Sequence, residues 1–351
     1  MACIVARMRT KPMVLEPILK PKVWGGRRLA AYGKALPEEM AHVGESWEVA
    51  DLDATSPDGG GGGEARSRIA TGEARGLTIR DAVRAMGANL MGRTALTEEG
   101  EFPLLVKYLD AADNLSVQVH PSPQYAGANP GCHLKTETWL VLDATPGSVV
   151  YSGLKEGTTA EGLVEAIKSR HVEDVMRAVP ARVGDVHHLP SGTVHALGAG
   201  CLVAEVQSPS DTTFRLFDWQ RTDRTLHVEQ AMACLDFESS APGVVRSEDR
   251  LEPGSAGVRR GVIESNELYE LVLIRGEGGF THELDTSWDA PVVLMFTAGD
   301  GWMVSAEGEY ENVAYHKGDT ALVPARLDSV VLQMSRDTSC LMVRCRESGC
   351  G

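Results

Sequence analysis

The sequence predicts a mainly β protein built from two jelly-roll β-barrels with a small helical insertion. Most apolar segments are short and bounded by Gly, Pro, Asn or Asp, which is typical of strands joined by tight turns. A Gly-Asp pair followed by a strand and a Pro occurs twice, within residues 183–191 and 317–325, which indicates an internal duplication. Two other segments have the pattern of helices.

The composition is that of a soluble globular protein. The chain has 351 residues, 43% of them hydrophobic and 24% charged, enough for one large or two ordinary domains. It has no run of roughly 18 apolar residues, as a membrane helix needs, and its start lacks the apolar core of a signal peptide. We therefore expect a cytoplasmic protein with no membrane partner. The formal charge of −15 argues against nucleic acid as a partner, although a metal ion and local cations can still attract a small anion.

The cysteines fit the same compartment. They are odd in number and scattered, and no two of them form a C-x-x-C pair. We predict free thiols at Cys3, Cys132, Cys201, Cys234, Cys340, Cys345 and Cys350.

The first domain is predicted at residues 13–240, behind a loose tail of residues 1–12 that has no periodic apolar pattern. Its first strand is expected near Val14. Residues 59–63 are a glycine run in a flexible surface loop, and no Gly-Lys-Ser/Thr follows them to suggest a phosphate-binding loop. Later strands are predicted at residues 102–109, 115–120, 138–142, 149–151, 186–189 and 201–207.

Two helical insertions are predicted in this domain, at residues 78–92 and 159–177. Thr78 is followed by Asp81 three residues later, which is a capping pattern. In the second helix, Leu163, Ile167 and Val175 fall on one face.

The second domain is predicted at residues 255–346, after a charged, glycine-containing link. Its best strands are residues 269–274, 292–296 and 341–343. No His or Glu after Pro324 takes the positions that such residues have in the first copy. We therefore expect this barrel to be a degenerate copy without a metal.

The strongest local motif ends at His195. The spacing Gly-x5-Pro-x-Gly-x-x-His from Gly184 resembles the second signature motif of cupin barrels. In that motif the Pro and Gly form a tight turn, after which the His points into the barrel mouth. The motif alone leaves open that His195 is a hydrogen-bonded core histidine.

A second cluster lies upstream and favours a metal site. Strand alternation puts Ser116, Gln118 and His120 on one face. Together with Glu137 and His195, these residues supply two imidazoles, a carboxylate and an amide oxygen, a set suited to Zn2+ with room for water or substrate. The same set can also hold Fe2+ or Mn2+.

These motifs resemble the class I mannose-6-phosphate isomerases, in particular the short bacterial form of this cupin family. The resemblance implies an isomerase that interconverts mannose 6-phosphate and fructose 6-phosphate through an enediol-type intermediate. It also implies one zinc ion per chain bound by Gln118, His120, Glu137 and His195. The matching segments are residues 20–26, 44–48, 115–121, 135–139, 192–196, 205–207 and 210–218.

The resemblance also suggests the catalytic residues Lys135, Glu205 and Arg215. Lys135 precedes Glu137 by two residues and would project the same way from a strand. Glu205 is a proton carrier or substrate anchor, or equally the partner of a nearby cation. Arg215 suits an enediolate or a phosphate group, because its guanidinium forms paired hydrogen bonds.

For the phosphate group, positions that resemble the far end of the family's cleft are Lys107, Ser116 and Arg221. We leave His133, His187 and His188 out of the metal shell, since at most one of two adjacent strand residues can face inward. Trp24, Trp47 and Trp139 are expected to pack in the core or at the rim.

Other functions remain open on the motifs alone. The barrel motif also permits another metal-dependent cupin enzyme, such as a phosphoglucose isomerase or an iron dioxygenase. A non-catalytic cupin that only binds a sugar phosphate is the alternative from a different class. No predicted ligand or acid–base residue is missing, which argues for an enzyme.

Overall fold

The protein is mainly β in a computed structural model that describes residues 10–57, 60–237, 243–254 and 257–347. Several predicted features lie outside these residues. They are most of the tail, Gly59, the domain limits at 240 and 255, and the cysteines Cys3 and Cys350. The strand pairs of the described chain are antiparallel, and its larger sheets stack in four layers.

Two sheets come chiefly from the first two thirds of the chain, and the candidate site lies between them. The inner N-terminal sheet consists, in spatial order, of Val245–Arg246, Asp185–Leu189, Glu137–Ala144, Cys201–Gln207, Leu105–Asp110, Glu45–Val49 and Ile18–Lys20. The outer N-terminal sheet consists of Met176–Pro180, Val149–Leu154, His195–Leu197, Val117–Val119 and Phe214–Phe217. A small ribbon pairs Asp51–Leu52 with Ala65–Arg66.

The last third of the chain contributes most of the other two layers. The inner C-terminal sheet consists of Glu252–Pro253, Val258–Ser265, Tyr269–Gly276, Thr338–Cys345, Val292–Ala298, Thr320–Val323, Met13–Glu16 and Arg68–Ile69. The outer C-terminal sheet consists of Thr281–Glu283, Val331–Met334, Asp300–Val304 and Val313–His316.

Strand alternation explains how these layers pack. Along Leu105–Asp110, Val106 and Tyr108 join the core between the two inner sheets, whereas Leu109 points to the outer N-terminal sheet. Leu271 and Leu273 complete the inner core from the other side. Because both faces of each inner sheet are buried, these strands read as nearly continuous apolar runs.

The helices cover the outer N-terminal sheet or fill the connections. The α-helices are Ile79–Met86, Ala88–Met91, Pro123–Ala128, Ala160–Ser169 and Val228–Cys234, and the 3-10 helices are Arg28–Tyr32, Val172–Asp174 and Ser247–Arg250. The capping pair of Thr78 and Asp81 is confirmed, with reciprocal hydrogen bonds between side chains and backbone.

The second predicted helix is too long. Arg170 adopts a left-handed conformation with φ of 62° and ends the helix after Ser169. Residues Met176–Pro180 then form an edge strand of the outer N-terminal sheet. Val175 has the right spacing for the helical face, but a residue after the turn no longer belongs to that face.

Two closed barrels are not confirmed, because the sheets are open. The edges of the inner C-terminal sheet are the two-residue strands Glu252–Pro253 and Arg68–Ile69, which do not pair with each other. The strand Met13–Glu16, predicted to begin the first domain, pairs with Arg68–Ile69 on one side and with Thr320–Val323 of the second predicted domain on the other. No described helix has the length and apolar character needed to cross a membrane. The cysteines within the described residues are free thiols, as predicted.

Candidate metal centre

One row of paired residues crosses the outer N-terminal sheet at the candidate site. His195 pairs with Ser152 on one side and with Gln118 on the other, and Gln118 pairs in turn with Arg215. Directly opposed residues in an antiparallel sheet point to the same face. The row therefore brings a predicted ligand pair and a predicted catalytic arginine together at one side of the cleft.

The turn before His195 depends on a glycine. Gly192 has φ of +84°, and a Cβ there would lie 3.0 Å from the Cys234 carbonyl oxygen. Its backbone N–H donates to the carbonyl oxygen of His120, at 3.2 Å. The Pro-x-Gly turn thus fixes the start of the His195 strand against the segment that carries His120.

Glu137 reaches the same point from the inner N-terminal sheet. Its carboxylate oxygens lie 3.3 Å from His120 Nε2 and 3.0 Å from His195 Nε2. One ligand atom from each of these three buried residues lies within 4.8 Å of the others. The side-chain amide of Gln118 lies 3.1 Å from His195 Nε2, so the fourth predicted ligand borders the same group.

The two imidazoles are oriented by backbone carbonyls. His195 Nδ1 donates to Thr193 O at 2.8 Å, and His120 Nδ1 donates to Thr212 O at 3.2 Å. With the proton on Nδ1, each Nε2 keeps a free lone pair directed at Glu137. His120 Nε2 and both Glu137 oxygens are buried and lack a hydrogen bond of good geometry to any described residue. Such an acceptor-rich cluster fits a divalent cation.

The charges around the cluster favour its metal-binding protonation state. Burial and the nearby Lys135 lower the pKa of His120 to about 3, so its imidazole is neutral near pH 7. Burial alone would raise the pKa of Glu137, but Lys135 and both imidazoles hold it well below its usual range. The site therefore presents a neutral His120 imidazole and a Glu137 carboxylate, as metal coordination requires.

A second row of paired residues lies next to the cluster on the inner N-terminal sheet. Trp139 pairs with Glu205, and Glu205 pairs with Lys107. Trp139 Nε1 donates to one oxygen of Glu205 at 2.8 Å, and Lys107 Nζ lies 2.9 Å from the other. Lys107 also donates to Gln207 Oε1 at 2.7 Å. Burial alone would lower the pKa of Lys107, but the carboxylates of Glu205 and Glu45 outweigh it and raise that pKa.

The remaining predicted catalytic residues line the cleft. Lys135 Nζ lies 2.8 Å from Glu137 Oε2, an ion-pair contact. Arg215 is 3% exposed, and its guanidinium donates to Thr225 O at 2.6 Å. The structure thus brings Lys135, Glu205 and Arg215 to the walls of the cleft that holds Gln118.

Of the predicted phosphate residues, Lys107 and Ser116 line the cleft and Arg221 does not. Arg221 donates to Asp218 at 2.8 Å and to Asn114 O at 2.7 Å, and its other nitrogen lies 2.9 Å from Asp113. Arg224, three residues farther along the chain, lines the cleft instead. The resemblance nominated this segment but could not tell which of its two arginines, Arg221 or Arg224, lines the cleft.

Several cleft residues were not predicted as part of the site. Lys22, Glu45 and Trp47 come from the segments 20–26 and 44–48, whose resemblance to the family was the only available signal. Trp24 and Trp47 are buried, as expected for packing in the core or at the rim, and they also form part of the cleft wall. The full lining is Lys22, Trp24, Glu45, Trp47, Ser56, Lys107, Leu109, Leu115, Ser116, Gln118, Lys135, Glu205, Asp211, Thr213, Arg215 and Arg224.

The three histidines left out of the metal shell lie apart from the cluster. His187 is 3% exposed, whereas His188 lies on the opposite face of its strand and contacts Thr138 and Glu264. His133 lies 3.8 Å from Glu99. None of them belongs to the His120–Glu137–His195 group found in the described chain.

Comparisons with known proteins point to one family. Residues 13–138 match a family model for the catalytic domain of type I phosphomannose isomerase. Mannose-6-phosphate isomerase ManA from Bacillus subtilis is 30% identical over 334 residues, which cover 93% of this chain and 97% of that protein. The mannose-6-phosphate isomerase of Streptococcus mutans is 35% identical over 66% of this chain and 70% of its own.

Solved structures give the same result for the fold. The crystal structure of the Bacillus subtilis mannose 6-phosphate isomerase superposes with a TM-score of 0.80 at 26% identity, covering 95% of this chain and 99% of that one. A phosphomannose isomerase variant from Salmonella typhimurium has a TM-score of 0.69 at 16% identity, covering 96% of this chain and 100% of its own, a likeness of fold alone.

Proposed function

The chain belongs to the type I phosphomannose isomerase family, and we propose that it interconverts D-mannose 6-phosphate and D-fructose 6-phosphate. The observation that supports this most directly is the buried group of His120, Glu137 and His195, which contacts the cleft-lining residues Gln118 and Lys135. Its relatives carry this activity in their names, and the similarity to ManA extends over 93% of the chain. The substrate would be a small sugar phosphate.

We propose that the group binds one Zn2+ through Gln118, His120, Glu137 and His195. The acceptor-rich geometry and the neutral His120 imidazole support a divalent cation, and the mixture of nitrogen and oxygen ligands favours zinc. A bound zinc ion would supply Lewis acidity toward the oxygens at C1 and C2 of the sugar. The Gln118 amide can turn its oxygen toward the ion, since the two amide orientations have nearly the same shape.

The proposed reaction moves a proton between C1 and C2 through an enediol-type intermediate. Arg215 lies beside Gln118 in strand register, so its permanent charge can stabilise negative charge that develops on the substrate oxygens. Lys135 is the cation closest to Glu137 and a candidate proton carrier. Both oxygens of Glu205 are engaged, by Trp139 and Lys107, which favours its role as a cation partner. Proton transfer by Glu205 stays a prediction.

We propose that the phosphate group binds at the end of the cleft that Ser116 and Arg224 line. Arg221 was the sequence-based candidate, but its contacts to Asp218 and Asn114 occupy its guanidinium. Arg224 keeps a 3.3 Å contact to Asp218 and also borders the cleft. A guanidinium is well suited to a phosphate because it can form two parallel hydrogen bonds.

The two-jelly-roll interpretation also remains a proposal. The stacking of five- and seven-stranded sheets around the site, and of eight- and four-stranded sheets behind it, supports two related halves among the described residues. The internal repeat of a Gly-Asp pair before a strand supports the same view. The cytoplasmic location stays a prediction.

The central experiment couples metal content to turnover. The purified protein is expected to release fructose 6-phosphate from mannose 6-phosphate, to lose this activity with a chelator, and to regain it with Zn2+. His195→Ala should lose both bound zinc and turnover, whereas Gln118→Ala should be milder because water can replace a neutral amide ligand.

Two results would contradict the proposal. Full zinc occupancy in His195→Ala would remove this residue from the metal shell. Zinc-loaded wild-type protein that binds mannose 6-phosphate without converting it would instead favour the non-catalytic sugar-phosphate-binding function.

A further inference from the structure

Tyr269, from the C-terminal part of the chain, reaches the back of the sheet that carries Glu137. It is fully buried and is the first residue of the strand Tyr269–Gly276. Its hydroxyl group donates to Val206 O at 3.0 Å and lies 2.9 Å from Thr138 Oγ1. One phenol therefore joins two neighbouring strands of the inner N-terminal sheet.

These contacts lie one residue from the proposed metal ligand. Thr138 pairs with Val206, and the next pair in the ladder is Glu137 with Gln207. Because successive side chains point to opposite faces, Thr138 faces the C-terminal sheets while Glu137 faces the cleft. Tyr269 thus holds the sheet from the side opposite the metal centre.

A third strand joins the same network. His188 pairs with Thr138, and its Nδ1 lies 3.0 Å from Thr138 Oγ1. Because the Tyr269 hydroxyl donates its hydrogen to Val206 O, its oxygen accepts a hydrogen bond from the Thr138 hydroxyl. The Thr138 oxygen in turn accepts a hydrogen bond from His188 Nδ1–H. Tyr269 is itself fixed by Asn266, whose side-chain oxygen accepts from the Tyr269 backbone N–H at 3.1 Å.

Glu137 needs such support more than the histidines do. Each imidazole is oriented by a hydrogen bond from Nδ1 to a backbone carbonyl. The Glu137 carboxylate has an ion-pair contact with the Lys135 side chain at 2.8 Å but no hydrogen bond to a backbone group of the described residues, so its position depends on a lysine side chain and on the backbone of its own strand. Thr138 and Val206 lie at the point where Tyr269 fixes that backbone.

We propose that Tyr269 is a positioning residue for the metal centre, and that its hydroxyl group holds Glu137 in coordinating position through Thr138 and Val206. The inference rests on the proposed metal binding and gives the C-terminal part of the chain a role in it. Supporting groups around metal ligands commonly contribute about 10–100-fold to metal affinity. Tyr269 acts through one intervening residue, so we expect an effect near the lower end, about tenfold.

The test measures Zn2+ affinity of the metal-free full-length protein by competition with a chromophoric chelator. Tyr269→Phe removes only the hydroxyl group. Tyr315→Phe is the matched control, because Tyr315 is also buried, in the core between the two C-terminal sheets, and its hydroxyl lies 3.3 Å from Thr338 Oγ1. We expect Tyr269→Phe to lose about tenfold in affinity and Tyr315→Phe to retain wild-type affinity.

A second variant covers the case that Tyr269→Phe does not fold. Thr138→Val removes the same hydrogen bond from its other end, and we expect the same loss of affinity. The double variant should lose less than the sum of the two single losses, since both variants remove the hydrogen bond between Tyr269 and Thr138.

The outcomes separate this inference from the proposed function. Wild-type affinity in Tyr269→Phe and Thr138→Val, or an equal loss in Tyr315→Phe, would overturn the role of Tyr269 alone. A wild-type protein that binds no Zn2+ would overturn the proposed metal centre and this inference with it.

Discussion

Arg215 is the residue whose charge can act on the substrate without binding the metal. It is nearly fully buried at the cleft wall and lies opposite Gln118 in the strand ladder. We expect Arg215→Ala to keep its zinc and to lose about 10²–10³-fold in kcat with little change in KM, because its charge acts on negative charge that exists only in the transition state.

Arg215→Lys is the sharper variant. Lysine keeps the charge but loses the planar fork of the guanidinium, so we expect poor rescue. Steady-state kinetics with parallel zinc analysis would check both variants. An increase in KM alone would assign Arg215 to phosphate binding, and wild-type kinetics in Arg215→Ala would remove it from the site.

Arg224 and Arg221 form a natural pair of test and control. Both contact Asp218, but only Arg224 lines the cleft. A hydrogen bond to a charged group contributes about 1.5–3 kcal/mol, so we expect Arg224→Ala to raise KM for mannose 6-phosphate about 10–100-fold. Arg221→Ala should raise KM less. The reverse order in the same steady-state assay would restore the sequence-based choice of Arg221.

At the scale of single residues, the sequence indicated the metal cluster better than the rim. Gln118 and His120 fall on one face of a strand, and His195 follows a recognisable turn, so local spacing was enough to nominate them. Lys22 and Arg224 lie in connections between strands, where no periodicity fixes the direction of a side chain. Their place in the cleft depends on contacts that local spacing does not encode.

At the scale of elements, one segment is held against the cleft by a single carboxylate. Asp211 Oδ2 accepts hydrogen bonds from Ser56 N at 2.7 Å, Ser56 Oγ at 3.0 Å and Gly60 N at 2.9 Å. Lys20 Nζ donates to Gly60 O at 2.5 Å. The predicted flexible glycine loop is therefore attached at Gly60, which is buried, while Gly61 and Gly62 are exposed.

We expect Asp211→Ala to release this segment. The variant removes the acceptor of the three hydrogen bonds from Ser56 and Gly60. The segment should therefore open more often, and amide hydrogen exchange at Ser56 and Gly60 should accelerate about tenfold or more. Asp211→Asn keeps one carbonyl oxygen and should show a smaller change. Asp285→Ala, which removes a similar turn acceptor of Ser287 far from the cleft, is the control in hydrogen-exchange measurements. Unchanged exchange at Ser56 in Asp211→Ala would contradict this attachment.

Strands could be predicted more reliably than helix ends. The strand Cys201–Gln207 has the predicted limits, because Gly200 precedes its largely apolar run and Pro209 follows it closely. The helix that begins after Thr159 ends at Ser169, where Arg170 enters the left-handed region. No glycine marks this end, so periodicity alone extended the helix too far.

At the scale of the whole molecule, the two halves share one core. The inner sheets pack face to face, with Val206 and Leu140 on one side and Leu271, Val293 and Leu341 on the other. The repeat of the Gly-Asp unit indicated two halves but not this packing, because a strand that is apolar on both faces does not reveal its partners. For the same reason, the sequence did not predict that the strand Met13–Glu16 pairs with Thr320–Val323.

A buried ion pair ties the halves together as well. Lys34 Nζ donates to Glu48 Oε2 at 2.8 Å and to Gly318 O at 2.6 Å, so one ammonium group contacts both parts of the chain. Removing one partner of a buried pair leaves an uncompensated charge, which costs about 3–5 kcal/mol. Separation of the halves would expose this pair together with the apolar face between the inner sheets.

We therefore expect the full-length protein to unfold in one cooperative transition. Far-ultraviolet circular dichroism, which reports the strands of both halves, and tryptophan fluorescence should give the same midpoint. A fragment of residues 243–347 lacks the strand Met13–Glu16 and exposes Leu271, Leu273 and Leu341, so it should aggregate or melt without cooperativity. Two resolved transitions in the full chain, or a fragment that unfolds cooperatively on its own, would mean that the second predicted domain is an independent folding unit and that the shared core contributes little to its stability.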